Sequence, residues 1–288
     1  MTQQSGSARS HSTTEKALEQ GAAALMSGRI SDAEGIARNL LSKHARHPGA
    51  LQLLGMTLLA QDRPREAIEP LEQAALRNPG AAVETYLAIA LRRSGRSTEA
   101  LALLQRATER QPTLSHAFYE LGTLLYEQRK VAEAEAVLNR GIKLMPGAGD
   151  CSLALGTIYL DRGDLEHAAV AFARVLANSP GHSGALHGLG SALMGGGEFD
   201  RAADKFRQAI ARDPSDTRAQ LMLATCLFEL GRPEEGIERL RSLLRSAPQL
   251  FGKAIKACSE AGRGRLWLRP SAAAECLGLN GGHPCREP

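Results

Sequence analysis

Aromatic side chains are scarce: six phenylalanines, four tyrosines and one tryptophan make up 4% of 288 residues. Runs of β-branched residues are missing too, while alanine, leucine, arginine, glutamate and glycine dominate, a composition that favours helices over sheet. Long apolar stretches are absent. No segment approaches the length of a spanning helix, and the opening MTQQSGSARSHSTTEK lacks the apolar core of a secretory signal. The cysteines, Cys151, Cys226, Cys258, Cys276 and Cys285, are odd in number and too sparse for a disulfide scaffold. Reduced thiols, no membrane insertion and a cytoplasmic location are the expectation.

Charge of one sign is also thin. The formal net charge is +4. Most of that excess sits after Leu250, where Lys253, Lys256, Arg263, Arg265, Arg269 and Arg286 outnumber Glu260, Glu275 and Glu287. The body before it is nearly neutral, which argues against a surface that tracks phosphates along a nucleic acid.

What the chain has instead is a pattern that returns. Counted from each first residue, repeats start at 48, 81, 115, 149, 183 and 217. The seventh place holds Leu54, Leu87, Leu121, Leu155, Leu189 and Leu223, each followed by Gly or Ala. A second helix repeats the logic with Ala67, Ala100, Ala134, Ala168, Ala202 and Gly236, then Leu71, Leu104, Leu138, Phe172, Phe206 and Leu240. Pro79, Pro112, Pro146, Pro180, Pro214 and Pro248 close the units, because proline lacks a donor and biases the preceding residue away from helix. Small residues let two helices approach closely and large ones fill the seam. A looser pair precedes Pro48, as expected of a terminal repeat with one neighbour.

This pattern resembles the tetratricopeptide repeat family of bacterial type, over about residues 14–248 as seven repeats. The resemblance implies an all-α fold, a right-handed superhelix of antiparallel helix pairs. Three departures stand out: Asp62 and Arg129 where glycine is usual between helices, and Gly236 in place of the second-helix alanine. Residues 1–13 are expected to be a disordered leader, 249–279 a capping helix with a Trp- and Arg-bearing segment, and 280–288 a disordered tail.

In the resembled family, ligand-facing residues recur at set places of each first helix. Carried onto this sequence, those places give Gln52 and Met56, then Thr85, Ile89 and Arg92, then His116, Tyr119, Thr123 and Tyr126. Further on they give Thr157 and Asp161, His187 and Ser191, and Phe228. Hydroxyls, aromatic rings, methionine and a few charges suit an extended peptide or a partner helix. They do not suit the carboxylate clamp of the chaperone-binding members, since Thr85, Ile89, Tyr119 and Thr123 stand where that clamp uses Lys and Asn.

Catalysis has little to stand on. No phosphate-cradling loop, nucleophile elbow or metal-binding histidine pair is present, and Gly195-Gly196-Gly197 falls between helices as a connector. Cys276, His283 and Cys285 fit no closed zinc spacing. The expectation is a non-enzymatic scaffold or adaptor without cofactor, metal or small-molecule substrate, its partner another protein. Two alternatives stay open: the substrate-selecting accessory subunit of a separate bacterial transferase or oxygenase, and nucleic-acid binding through the basic tail.

Overall fold

The computed structural model describes residues 4–260 and Leu277. Among the described residues every regular element is helical, with fifteen α-helices and one short 3-10 turn. The chain divides into two units, residues 1–151 and 152–288.

Unit one contains α1 (Gln4–Met26), α2 (Ile30–Lys43), α3 (Pro48–Ala60), α4 (Pro64–Arg77), α5 (Ala81–Arg93), α6 (Ser97–Glu109), α7 (Ser115–Glu127) and α8 (Val131–Leu144). Each helix packs on the next, and α3 and α5 also pack side by side, as do α5 and α7. The unit boundary falls within α9 (Gly149–Asp161). Unit two continues with α10 (Leu165–Asn178), α11 (Ser183–Gly195), α12 (Phe199–Arg212), α13 (Thr217–Glu229), α14 (Pro233–Ser246) and α15 (Phe251–Glu260).

The pairing follows from small residues set against large ones. A Cβ on Gly55 would lie 2.4 Å from Leu71, one on Gly122 2.5 Å from Leu138, and one on Gly190 2.7 Å from Phe206. Gly156 stands in the same relation to Phe172. Leu71, Leu138 and Phe206 are fully buried as a result, each worth about 1.5–3 kcal/mol of transfer free energy.

Prolines and left-handed residues set the helix ends. Asn78, Met145, Ser179 and Ala247, each just before a proline, have φ near −140° and ψ of 68–80°, so α4, α8, α10 and α14 stop there. Between paired helices the chain turns through positive φ at Gly28, Gly95, Gly163, Gly197 and Gly231, and also at Asp62 (57°) and Arg129 (63°). Those two departures from glycine therefore occupy a conformation that L side chains resist. The third departure has a packing reason: a Cβ at Gly236 would meet the Phe228 ring at 2.8 Å.

Both termini differ from or extend the sequence expectation. Helix α1 begins at Gln4, taking in residues read as a leader; no proline stands between Gln4 and Met26 to stop it. At the other end α15 packs on α13: Ala254 and Cys258 are buried with Leu221, Phe228 and Leu243, and Leu277 joins that cluster. Trp267, the Gly264–Ser271 segment, the Cys276, His283 and Cys285 set and residues 280–288 lie outside the described residues.

Candidate functional site

In unit one the candidate residues come from α3, α5 and α7. Gln52 and Met56 are half-buried and touch each other, with Gln52 Nε2 donating to Met56 Sδ at 3.9 Å. His116 stacks on Tyr119, centroids 5.8 Å apart at an interplanar angle of 15°, and lies 6.2 Å from Tyr86. All three rings are half-buried, as is Tyr126 two turns along α7. Thr123 donates to the Tyr119 carbonyl. Arg92 is not a free hook: its guanidinium donates to Glu120 at 2.9 Å and Glu127 at 2.7 Å, tying α5 to α7, and its buried Nε has no partner among the described residues.

Two residues of this set leave the surface altogether. Thr85 is fully buried and donates back to the Ala81 carbonyl at 2.6 Å, and Ile89 is 5% exposed. The cause is position, since α5 is covered by α3 on one side and α7 on the other. Beside them Glu84 is also fully buried. It accepts from Arg106 at 2.6 Å and Arg110 at 2.8 Å. Burial pushes its pKa upward, but hydrogen bonds from Arg110 and Arg106 outweigh that and hold the carboxyl below its usual range.

In unit two four candidates meet. Thr157 and Asp161 of α9 and His187 and Ser191 of α11 line one cleft of about 480 Å³, together with Arg212, Asp216 and Arg218. Asp216 is the N-cap of α13: one oxygen accepts from the Ala219 N–H at 2.9 Å and the other meets His187 Nε2 at 2.6 Å. Burial acts to raise the Asp216 pKa, yet the Ala219 N–H and His187 overcome it and leave it depressed. His187 Nδ1 is buried without a hydrogen-bond partner among the described residues. Phe228 does not join the cleft; fully buried, it fills the gap that Gly236 leaves.

Sequence reasoning missed Tyr86, Glu84, Arg212 and Asp216 because it looked only at fixed places of the first helices. Asp216 did carry a signal: it stands just before a repeat start, where His47 and His182 also cap helices through a ring nitrogen. Among the described residues, no group of three or more His, Cys, Asp or Glu is placed to hold a metal ion. Cys151 and Cys226 are buried on helices as expected of small core thiols, and burial pushes both to about 12 and Cys258 to about 11. No described helix is long and apolar enough to cross a membrane.

One family model, the tetratricopeptide repeat, matches six overlapping stretches: 18–83, 53–115, 85–149, 119–183, 153–203 and 187–250. The chain belongs to the tetratricopeptide repeat family. No curated protein matches it. Among solved structures it resembles a chain of the APC/C hetero-tetramer Cut9-Hcn1, at 17% identity and TM-score 0.67, covering 84% of this chain and 48% of that one. It thus spans about half of that relative's length. The resemblance to PilF of Pseudomonas aeruginosa has 19% identity and TM-score 0.61 over 70% of this chain and 92% of that one. Human IFIT1, solved as a dimer with m7Gppp-AAAA, gives 14% identity and TM-score 0.65 over 86% and 63%. At such identities the likeness is one of fold. Tetratricopeptide repeats are in general non-enzymatic scaffolds for protein interaction, and that general role is the one family membership supports.

Proposed function

We propose that this tetratricopeptide repeat chain is a non-enzymatic adaptor that holds a peptide segment or helix of another protein along the face formed by its first helices. One observation carries the reading. Tyr86, His116 and Tyr119, drawn from two successive first helices, cluster as half-buried rings at 5.8 and 6.2 Å. Such rings offer large contact area at little entropic cost, the usual make-up of binding hot spots. Gln52, Met56, Thr123 and Tyr126 extend that surface in unit one, and Thr157, Asp161, His187 and Ser191 supply a second one in unit two. Thr85, Ile89 and Phe228 drop out of the contact set.

The test is affinity capture from the native cell with wild type and the Tyr119→Ala/Tyr126→Ala variant side by side. Loss of two hot-spot rings should weaken a partner by at least about 2 kcal/mol, enough to remove it from the capture, while the melting curve stays that of wild type. A folded variant that captures the same proteins in the same amounts overturns the reading.

A further inference from the structure

We infer that the cleft of unit two is a seat for an acidic side chain of the bound segment, recognised by Arg212 and Arg218. The inference rests on the peptide-binding reading above and names the chemistry of the peptide.

The cleft is lined by carboxylates as well as arginines, and what separates the two is that the carboxylates are engaged. Asp216 accepts from the Ala219 N–H and meets His187. Asp213 accepts from both the backbone N–H of Ser215, at 2.9 Å, and its hydroxyl, at 2.6 Å. Asp161 has a partner as well. Arg212 and Arg218 are exposed on the cleft wall, and neither forms an ion pair or side-chain hydrogen bond among the described residues. Elsewhere in unit two Arg207, Arg232 and Arg245 each hold a carboxylate of their own helix or its cap, at 2.7, 2.6 and 3.2 Å. Arg174 and Arg239 of unit two also lack such a partner among the described residues, but they stand apart, whereas Arg212 and Arg218 share one concave site.

Arg212 also lies against the backbone of the cleft wall. Its guanidinium lies over the backbone of Gly181, so close that a Cβ on Gly181 would fall 1.7 Å from Cζ and 2.0 Å from Nη1. Gly181 does not have positive φ, so a Cβ there would act chiefly by displacing the Arg212 guanidinium. A guanidinium fork matches a carboxylate with two parallel hydrogen bonds.

The experiment is selection of random dodecapeptides displayed on phage against the full chain, followed by fluorescence anisotropy with the enriched peptides. Three proteins are compared: wild type, Arg212→Ala/Arg218→Ala, and Gly181→Ala, which shifts Arg212 without changing charge. Wild type should enrich peptides with Asp or Glu at one fixed position. Replacing that residue with Gln or Asn should lower affinity about tenfold, as expected for one charge-assisted bidentate pair. Both variants should lose the acidic preference and keep the wild-type melting curve. Enrichment without an acidic position, or Gly181→Ala binding the acidic peptides as wild type does, overturns this inference and leaves peptide binding standing. Failure to enrich any sequence overturns both.

Discussion

Units one and two share one packing code and differ in how they spend charge and where they store strain. In unit one the polar side chains near the first helices neutralise one another: Arg92 bridges to Glu120 and Glu127, and Glu84 is buried under Arg106 and Arg110. In unit two the wall between α11 and α13 keeps Arg212 and Arg218 without a carboxylate among the described residues. The turns differ as well. Unit one turns through Asp62 and Arg129 at positive φ as well as through Gly28 and Gly95, whereas among the described residues the positive-φ turns of unit two use glycine, at Gly163, Gly197 and Gly231. What recurs every 34 residues, then, builds the stack, and what fails to recur distinguishes one surface from another.

If that division is right, breaking the shared code should hurt both units alike. Gly122→Leu in unit one and Gly190→Leu in unit two each drive a side chain into a fully buried partner, Leu138 or Phe206. Each should cost about 1–3 kcal/mol, the range for overpacking a core. Chemical denaturation measures it. A large loss in one variant and none in the other would show that the two units are not built by the same rule.

That code was also the part legible in the sequence. Leu155, Gly156, Ala168, Phe172 and Pro180 announce a helix, a turn and a second helix because each choice is forced locally, by helix approach, seam volume or the missing donor of proline. The site was only half legible. Places carried over from the family located Tyr119, His116, Thr157, Asp161, His187 and Ser191 on surfaces that exist, yet they also chose Thr85, Ile89 and Phe228, which are buried. Burial at those places depends on neighbours in other helices. Phe228 turns inward because Gly236 leaves room, and Thr85 because α3 and α7 close over α5. Arg212 was invisible for a related reason: it lies at the end of a second helix, and its meaning comes from Gly181, 31 residues away.

The charge contrast can be sharpened by removing one member from each unit. Glu84→Gln leaves two guanidiniums without their anion and should cost about 2 kcal/mol, held down because both arginines reach water. Arg218→Ala removes a cation that no carboxylate holds among the described residues, and stability should move by no more than about 0.5 kcal/mol. The Glu84 effect also has a pH signature. Because its folded pKa is depressed, its stabilisation is complete above the unfolded carboxylate value and is lost as pH falls through the folded value. The gap between wild type and Glu84→Gln should be constant above about pH 5 and shrink below about pH 4. A gap unchanged down to pH 3, or a destabilised Arg218→Ala, would undo the contrast.

The smallest effect concerns the turns. Arg129 sits at φ 63° and is exposed, while the backbone bonds around it, Arg129 N–H to the Tyr126 carbonyl and Lys130 N–H to the Leu125 carbonyl, need no side chain. A left-handed L-residue costs about 1–2 kcal/mol, and the extra freedom of glycine in the unfolded chain takes back about 0.5–1 kcal/mol. Arg129→Gly should therefore stabilise unit one by about 0.5–1 kcal/mol, with Asp62→Gly gaining less because aspartate tolerates this region better. The reverse change in unit two, Gly197→Ala, should lose about as much as Arg129→Gly gains, for the same reason read in the opposite sense. Thermal melts of the three variants decide it. If Arg129→Gly leaves the melting temperature unchanged or lowers it, the left-handed strain at that turn is no larger than the entropy glycine restores to the unfolded chain, and the turns no longer separate the two units.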